Sequence, residues 1–342
     1  MTNQYLADPL FQEALPVLLE IEAHGHEAYF VGGSVRDTLL GLPIHDIDIA
    51  SSARPEEIQC IFRRTIDLGM EHGTIIVLMG DKDYEITTFR TEEGYTDGRR
   101  PDKVHFIRDL EEDTLRRDFT INSLAFNRQG KLFDYHHGKE DLDAQLIRAV
   151  GEPSDRFGED SLRMIRAVRF ASQLNFDIEA DTLKAIQELK ANIQQVSIER
   201  TREELTKTLV GDYFYEKGDL LVESGLWEYL PELSTKDSSA ALKELRENLQ
   251  WGSATRFTRS ESFLWTLMVR ALDLKESTAQ RQLLRRWKHS NRTLQEVQDY
   301  SQLMDLYLED GLTLWDVYRF EEHLIQNVDC WAHQKELTLT FD

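Results

Sequence analysis

Apolar and polar positions follow two different periods along this 342-residue chain. Up to about residue 150, short apolar runs alternate with Gly, Asp and Asn turn signals: AYFVGG (28–33), DIDIASS (46–52), GTIIVLM (73–79), YEITTFRT (84–91), KVHFIR (103–108), SLAFN (123–127) and KLFDY (131–135). Runs of this length and make-up predict β-strands. Helices are interspersed among them. Asp8 and Pro9 supply an N-cap and a first-turn proline for one helix, and Gly41 closes the helical segment VRDTLLG (35–41). From about residue 151 the spacing becomes that of amphipathic helices. FGEDSLRMIRAVRFASQLN (157–175) sets Leu162, Ile165 and Val168 on one stripe beside Met164 and Ala167, and the segments 180–193 and 197–210 repeat that spacing. Later polar joints such as STKDSSA and WGSATR separate further helices. The pattern predicts an α+β head with a mixed sheet, followed by an all-α arm, with no internal repeat.

One strand breaks its own pattern. In DIDIASS, residues two apart share a face, so Asp46 and Asp48 are expected to project together while Ile44, Ile47 and Ile49 pack the strand. Like charges this close repel, and their burial is costly unless a cation compensates. Mg²⁺ prefers hard oxygen ligands and is held by one or two carboxylates plus substrate phosphates. Two such ions, about 3.5–4 Å apart, assist in-line phosphoryl displacement. A D-x-D alone is better explained by two aspartates exposed at a strand end or turn, since the pattern is common by chance. Gly32 and Gly33 add to the picture. They lie between a strand and a helix start, where backbone N–H groups make an anion site, and Arg36 follows one turn later.

Composition narrows the class. Apolar residues make up 41% of the chain, which suits a globular protein. The longest apolar runs are too short to span a bilayer, and the N-terminus lacks the basic and apolar blocks of a secretory signal. Two distant cysteines, Cys60 and Cys330, suit a reducing cytoplasm better than a disulfide framework or a zinc site. The net charge of −22 argues by itself against nucleic acid, since phosphate contacts call for cations. The basic residues are clustered, however, notably in DGRRPDK, TLRRDF, RMIRAVR and RQLLRRWKHSNR. Local positive stripes on an acidic body therefore remain open.

GGSVRDTLLG…HDIDIA resembles the signature of the class II tRNA nucleotidyltransferases, the group of bacterial CCA-adding enzymes and poly(A) polymerases. Four further segments resemble that family's motifs in order: LRRDFTINSLAF (115–126), DYHHGKEDL (134–142), EDSLRMIRAVRF (159–170) and SIERTREELTKTL (197–209). The resemblance is strong over about the first 210 residues. It implies a polymerase-β-like catalytic head (1–150), a nucleotide-selecting helical neck (151–212) and an RNA-binding body (213–342). It also implies that Asp46 and Asp48 are catalytic and bind two Mg²⁺ ions. Gly33, Arg36 and Arg117 would contact the nucleotide, with Asp118 nearby, and Asp160, Arg163, Arg166 and Arg169 would bind the incoming base and triphosphate. The substrates would be ATP, CTP and the 3′ end of the tRNA acceptor stem, with a homodimer as one expected assembly. Two departures stand out. The hinge motif usually carries two glycines, whereas His137 precedes Gly138, and the chain stops about where the family's further helical tail would begin.

Asp160 and Arg163 are three apart and are expected to be helix neighbours. Cytosine and adenine each present an amine donor beside a ring acceptor, and guanine and uracil reverse that order. A carboxylate beside a guanidinium is complementary to C and A. Arg166 and Arg169 lie round the helix and reach phosphates, RNA or a supporting carboxylate. A salt-bridged helix with Glu159 and Arg163 paired is the bland alternative. Among family activities, the charged, Gly-containing segment 90–103 is expected to be a mobile loop, which favours addition of CCA or of A over CC alone. Poly(A) synthesis and a catalytically silent RNA-binding relative are the other readings. The cluster LLRRWKHSNR (283–292), with Arg285, Arg286 and Lys288, is the expected RNA-backbone contact in the arm.

Overall fold

A computed structural model describes residues 6–94, 103–233, 237–249, 260–309 and 313–334. The chain divides into two compact units, Met1–Arg163 with Asp177–Ala185, and Met164–Phe176 with Ile186–Asp342.

The first unit is built on a seven-stranded mixed sheet. Its strands are β1 (Ala28–Val31), β2 (Asp48–Ser51), β3 (Thr65–Gly69), β4 (Thr74–Met79), β5 (Lys82–Thr88), β8 (Ala125–Phe126) and β9 (Leu132–Phe133). The spatial order is β3-β4-β5-β2-β1-β8-β9, with β2 and β5 parallel and every other pairing antiparallel. A separate hairpin joins β6 (Arg90–Glu93) to β7 (Lys103–Phe106). Helix α1 (Pro9–Ala23) starts as the sequence predicts, with the Asp8 carboxylate accepting from Leu10 N at 2.9 Å. Helix α2 (Gly33–Leu40) ends on Gly41 in the left-handed conformation, φ 68°. Helices α3 (Pro55–Ile61), α4 (Leu110–Leu115) and α5 (Gly138–Asp143) complete the head.

Several expectations need correction here. Asp46 precedes β2, so only Asp48 of the pair stands in the strand. Of the three isoleucines around them, only Ile49 is buried, because it alone lies in the strand with its side chain on the closed face. The segment 90–103 begins and ends in paired strand, and its residues 95–102 lie outside the described residues. Strand β3 was not anticipated. Its segment, TIDLG, offers two exposed apolar side chains and a bulge between Asp67 and Gly69 where a core strand would alternate. The region after residue 151 is not purely helical either: β11 (Asp177–Ile178) pairs in parallel with β10 (Leu146–Ile147).

In the segment 134–142 a non-glycine residue takes a backbone conformation that favours glycine. His137 takes a left-handed backbone, φ 59° and ψ 28°, just before α5. Asp134 holds the turn by accepting from the backbone N–H groups of Gly138 and Lys139, both at 2.9 Å. At Gly138 the constraint is steric: a Cβ there would stand 2.2 Å from the Thr120 carbonyl oxygen. His137→Gly is expected to be neutral or to stabilise by up to about 1 kcal/mol, since a left-handed L-residue costs about 1–2 kcal/mol and glycine loses part of that to entropy. Gly138→Ala is expected to cost about 3 kcal/mol through forced backbone displacement. Thermal unfolding of the two variants checks the contrast.

Helix α6 (Pro153–Glu159) leads into α7 (Leu162–Leu174), and the division between the units falls within α7. The second unit is helical throughout its described residues. It holds the apolar stripe predicted for α7, with Met164, Ile165, Ala167 and Val168 fully buried. Its core is aromatic, with Trp227, Trp265, Trp287, Phe214 and Tyr300 buried. A buried indole N–H needs an acceptor. Trp227 donates to Leu233 O, Trp265 to Thr206 Oγ1 and Trp287 to Pro231 O, at 3.0–3.1 Å.

Candidate active site

Gly32 turns the chain from β1 into α2 with φ 72°, a conformation that favours glycine. The space where its Cβ would lie is 3.4 Å from Asp48 Oδ2 and 3.8 Å from Arg117 Nη1, and the same space at Gly33 is 3.7 Å from Arg36 Nη2. The glycine pair thus brings bare backbone, at a helix N-terminus, beside one carboxylate and two guanidiniums. Backbone N–H groups and arginines in this arrangement suit a phosphate chain.

Both arginines are fixed from behind. Arg36 makes a fork to Asp37, with Nε–Oδ1 at 2.8 Å and Nη2–Oδ2 at 3.0 Å, and its Nη1 donates to Asn122 Oδ1 at 2.8 Å. Asn122 in turn donates to Asp118 Oδ1 at 3.1 Å, and Phe119 N donates to the same oxygen. Asp118 is therefore a support for Arg36, acting through Asn122. Arg117 reaches Asp113, at 3.4 Å, and its buried Nε has no acceptor among the described residues. Asp113 is fully buried. Burial alone would raise its carboxyl, but Arg116 and Arg117 outweigh that and hold it below the usual carboxylate range. One carboxylate thus anchors both arginines of the RRD segment, and Arg90 N donates to it as well.

The acidic side has a third member that sequence spacing did not reveal. The parallel pairing of β2 with β5 sets Glu85 directly beside Asp48. Solvent reaches Asp48, yet protein crowds the rest of its surroundings. Desolvation raises its carboxyl, Arg117 draws it back and Asp46 raises it again. Glu85 is raised by desolvation first and then by Asp48, with Arg90 opposing. The alternation of polar Asp83 and Glu85 with buried Tyr84 and Ile86 shows that Glu85 is on the outer face, but nothing in the sequence pairs it with Asp48. The donor set, hard carboxylate oxygens whose raised carboxyls Arg117 and Arg90 offset only in part, fits Mg²⁺. No group of three His, Cys, Asp or Glu side chains among the described residues could hold an ion unaided.

The base-selecting candidates are placed differently from expectation. Asp160 is not on α7 but in the joint before it, with an extended backbone of φ −138°, and its Oδ1 accepts from Leu162 N at 3.0 Å. It caps the helix that carries Arg163, so the two are linked by capping and not by a helical face. The reason is local: aspartate competes for backbone N–H groups and ends α6 there. Arg163 is held by Glu159 Oε2 at 2.9 Å and by donating to Arg116 O at 2.8 Å, and Arg156 grips the other oxygen of Glu159. The Glu159–Arg163 pair is thus present, and it also steadies the guanidinium.

Arg166 and Arg169 lie in the second unit and converge on Glu204 of α9 (Ile198–Val210), at 3.8 and 2.8 Å. This carboxylate is the supporting partner among the options open from the sequence. Both arginines also lie over the Phe170 ring, at 5.4 and 4.2 Å from its centre. In the basic cluster, Lys288 pairs with Glu199 at 2.7 Å, while Arg285 and Arg286 are exposed at the end of the helix Ser277–Arg286.

The chain is similar to known proteins along most of its length. Residues 28–148 match the family described as "Poly A polymerase head domain", residues 175–237 that described as "Probable RNA and SrmB- binding site of polymerase A", and residues 256–340 that described as "tRNA nucleotidyltransferase domain 2 putative". The CCA-adding enzyme of Levilactobacillus brevis is 46% identical over 312 residues, 91% of this chain and 77% of that protein. That of Enterococcus faecalis is 50% identical over 289 residues, 84% of this chain and 69% of that protein. The crystal structure of the Bacillus stearothermophilus CCA-adding enzyme in complex with CTP superposes with a TM-score of 0.85 at 38% identity, covering 96% of this chain and 78% of that one.

Proposed function

We infer the chemistry of this site from the family to which the chain belongs, the CCA-adding enzymes. The chain is a class II nucleotidyltransferase that adds C, C and A to the 3′ end of tRNA from CTP and ATP without a nucleic-acid template. The 3′-hydroxyl oxygen attacks the α-phosphorus of the nucleotide, a new P–O bond forms, and pyrophosphate leaves with the electrons of the broken bond. The observation that carries the site assignment is the close approach of the Gly32–Gly33 backbone to Asp48, Arg117 and Arg36.

In this reading Gly33, Arg36 and Arg117 receive the triphosphate, and the orphaned Nε of Arg117 gains an acceptor when nucleotide binds. Asp46 and Asp48, with Glu85 beside them, would hold Mg²⁺. The ion would neutralise charge on the phosphates and lower the pKa of the attacking hydroxyl. Asp160 and Arg163 face the base, and Arg163 is positioned by Glu159. Arg166 and Arg169 brace α7 through Glu204. We assign residues 1–150 as the catalytic head, 151–212 as the neck and 213–342 as the RNA-binding body. No helix of the described residues is long and apolar enough to cross a membrane. With both cysteines free, a cytoplasmic setting suits the protein.

The deciding assay supplies tRNA lacking its 3′ CCA with CTP alone, ATP alone, or both. The expected products are two added residues with CTP and three with the mixture. Runaway addition from ATP would identify a poly(A) polymerase, and a stop after CC in the mixture would identify a partial enzyme.

A further inference from the structure

The strand register places a row of apolar side chains on the same sheet face as the acidic site. Asp48 pairs with Glu85, Glu85 with Ile76, and Ile76 with Ile66, so these four form one rung across β2, β5, β4 and β3. Residues opposite one another in a ladder share a face. Ile76 and Ile66 therefore continue the line that the two acids begin. Leu78 is two residues from Ile76 on the same face, opposite Asp83, and Leu68 stands at the bulge of β3. The reverse face is closed, with Ile49, Ile75, Val77, Tyr84 and Ile86 buried. The outer face is open: Ile66 is 47% exposed and Ile76 and Leu78 are half-buried, and beside it the unpaired Leu68 of the bulge is 56% exposed. A contiguous apolar strip beside a charged site marks a contact surface.

We propose that Ile66, Leu68, Ile76 and Leu78 form a strip that holds the bases of the growing tRNA 3′ end by apolar contact, without reading their identity. This rests on the activity described above, which requires that end to reach Asp48. With strands about 4.8 Å apart, Ile76 lies about 10 Å and Ile66 about 14 Å from Asp48. That span matches three to four nucleotides stacked at about 3.4 Å each. The acids on this face, Asp83 and Glu85, repel phosphates and so favour bases turned toward the sheet. The chemistry of successive addition favours a strip of this kind. Each transfer moves the strand by one nucleotide and changes which base lies behind the reacting hydroxyl. A hydrogen-bonding surface would lose its bonds at every shift, whereas apolar contact to a base face is tolerant of sequence.

Steady-state kinetics with three tRNAs, ending before the CCA, after the first C and after the second C, test the strip. The variants are the double replacement Ile66→Ser with Leu68→Ser, the β-branched Ile66→Thr, and Ile66→Tyr. The double variant should raise KM for each of the three tRNAs by a similar factor, about five-fold or more, the lower end for loss of a base contact. KM for CTP and ATP and the unfolding temperature should stay at parent values. Ile66→Thr should show a smaller rise, and Ile66→Tyr, which offers a stacking ring, should keep or lower KM for tRNA. The proposal is overturned by an unchanged KM for tRNA in the folded double variant, or by a rise confined to one of the three tRNAs. It is equally overturned if sedimentation shows that the variant alters self-association while tRNA kinetics stay the same, since a second copy of the chain would then cover the strip. Loss of all incorporation by the parent enzyme would instead overturn the activity on which the proposal rests.

Discussion

Replacing Asp48 with Ala should lower nucleotide incorporation by about 10³-fold or more while leaving the head folded. The magnitude follows from the several kcal/mol that a metal supplies to phosphoryl transfer, at about 1.4 kcal/mol per decade of rate. Retention of the fold follows from the packing. β2 is anchored by Ile49 and Ala50, which are buried, and its neighbours pair through backbone hydrogen bonds that the substitution does not touch. The sign of the stability change can be worked out as well. The Asp48 carboxyl is raised in the folded protein, first by desolvation and, beyond the opposing Arg117, by Asp46. A raised acid favours folding only while protonated, and that contribution is lost as pH rises through its folded pKa. At neutral pH the charged form is therefore unfavourable without metal, and the variant should unfold at the same temperature as the metal-free parent or slightly above it. Single-turnover incorporation of labelled CTP, beside thermal unfolding with and without Mg²⁺, checks both halves. Near-parental turnover would remove Asp48 from the metal site. Glu85→Gln should fall between parent and Asp48→Ala, because Glu85 adds to the acidic pair from the adjoining strand.

Replacing Asp160 should relax the choice among the four nucleotides. In the proposed role its carboxylate accepts from the amine of C or A and repels the carbonyl of U or G. Loss of one charged hydrogen bond is worth about 1.5–3 kcal/mol, so discrimination against UTP and GTP should fall by about 10–150-fold. Asp160 also caps α7 through Leu162 N, and removal of such a cap costs about 1 kcal/mol. Asp160→Ala therefore mixes two effects. Asp160→Asn separates them, because the amide oxygen can still cap the helix while the amide N–H₂ offers a donor to U and G. The asparagine variant should keep its thermal stability and still misincorporate UTP and GTP. Competition assays with all four triphosphates provide the readout. If Asp160→Asn rejects UTP and GTP as strictly as the parent, the bases are selected by other groups and Asp160 is a helix cap alone.

The legible parts of this protein are those governed by residues within a few positions of one another. The Asp8 cap, the Gly41 stop, the Gly32–Gly33 turn and the stripe of Leu162, Ile165 and Val168 could all be read because capping, backbone conformation and helical period are local properties. The ordered motifs offer Asp48, Arg36 and Arg117 as candidates, and the structure places all three around the Gly32–Gly33 turn. What tertiary structure alone decided involves contacts between distant segments. Glu85 joins Asp48 only because β2 pairs in parallel with β5, which no periodicity announces. Arg166 and Arg169 meet Glu204 because α7 and α9 pack side by side, and both ends of the 90–103 segment become strand because each finds the other. Ile66 of β3 shares the rung of Asp48 only through the register of β3, β4, β5 and β2. Even the D-x-D followed this division. The pair of carboxylates with one residue between them is plain in the sequence, but the start of pairing at Asp48 leaves Asp46 outside the strand, since a strand extends only as far as a partner exists to satisfy its backbone.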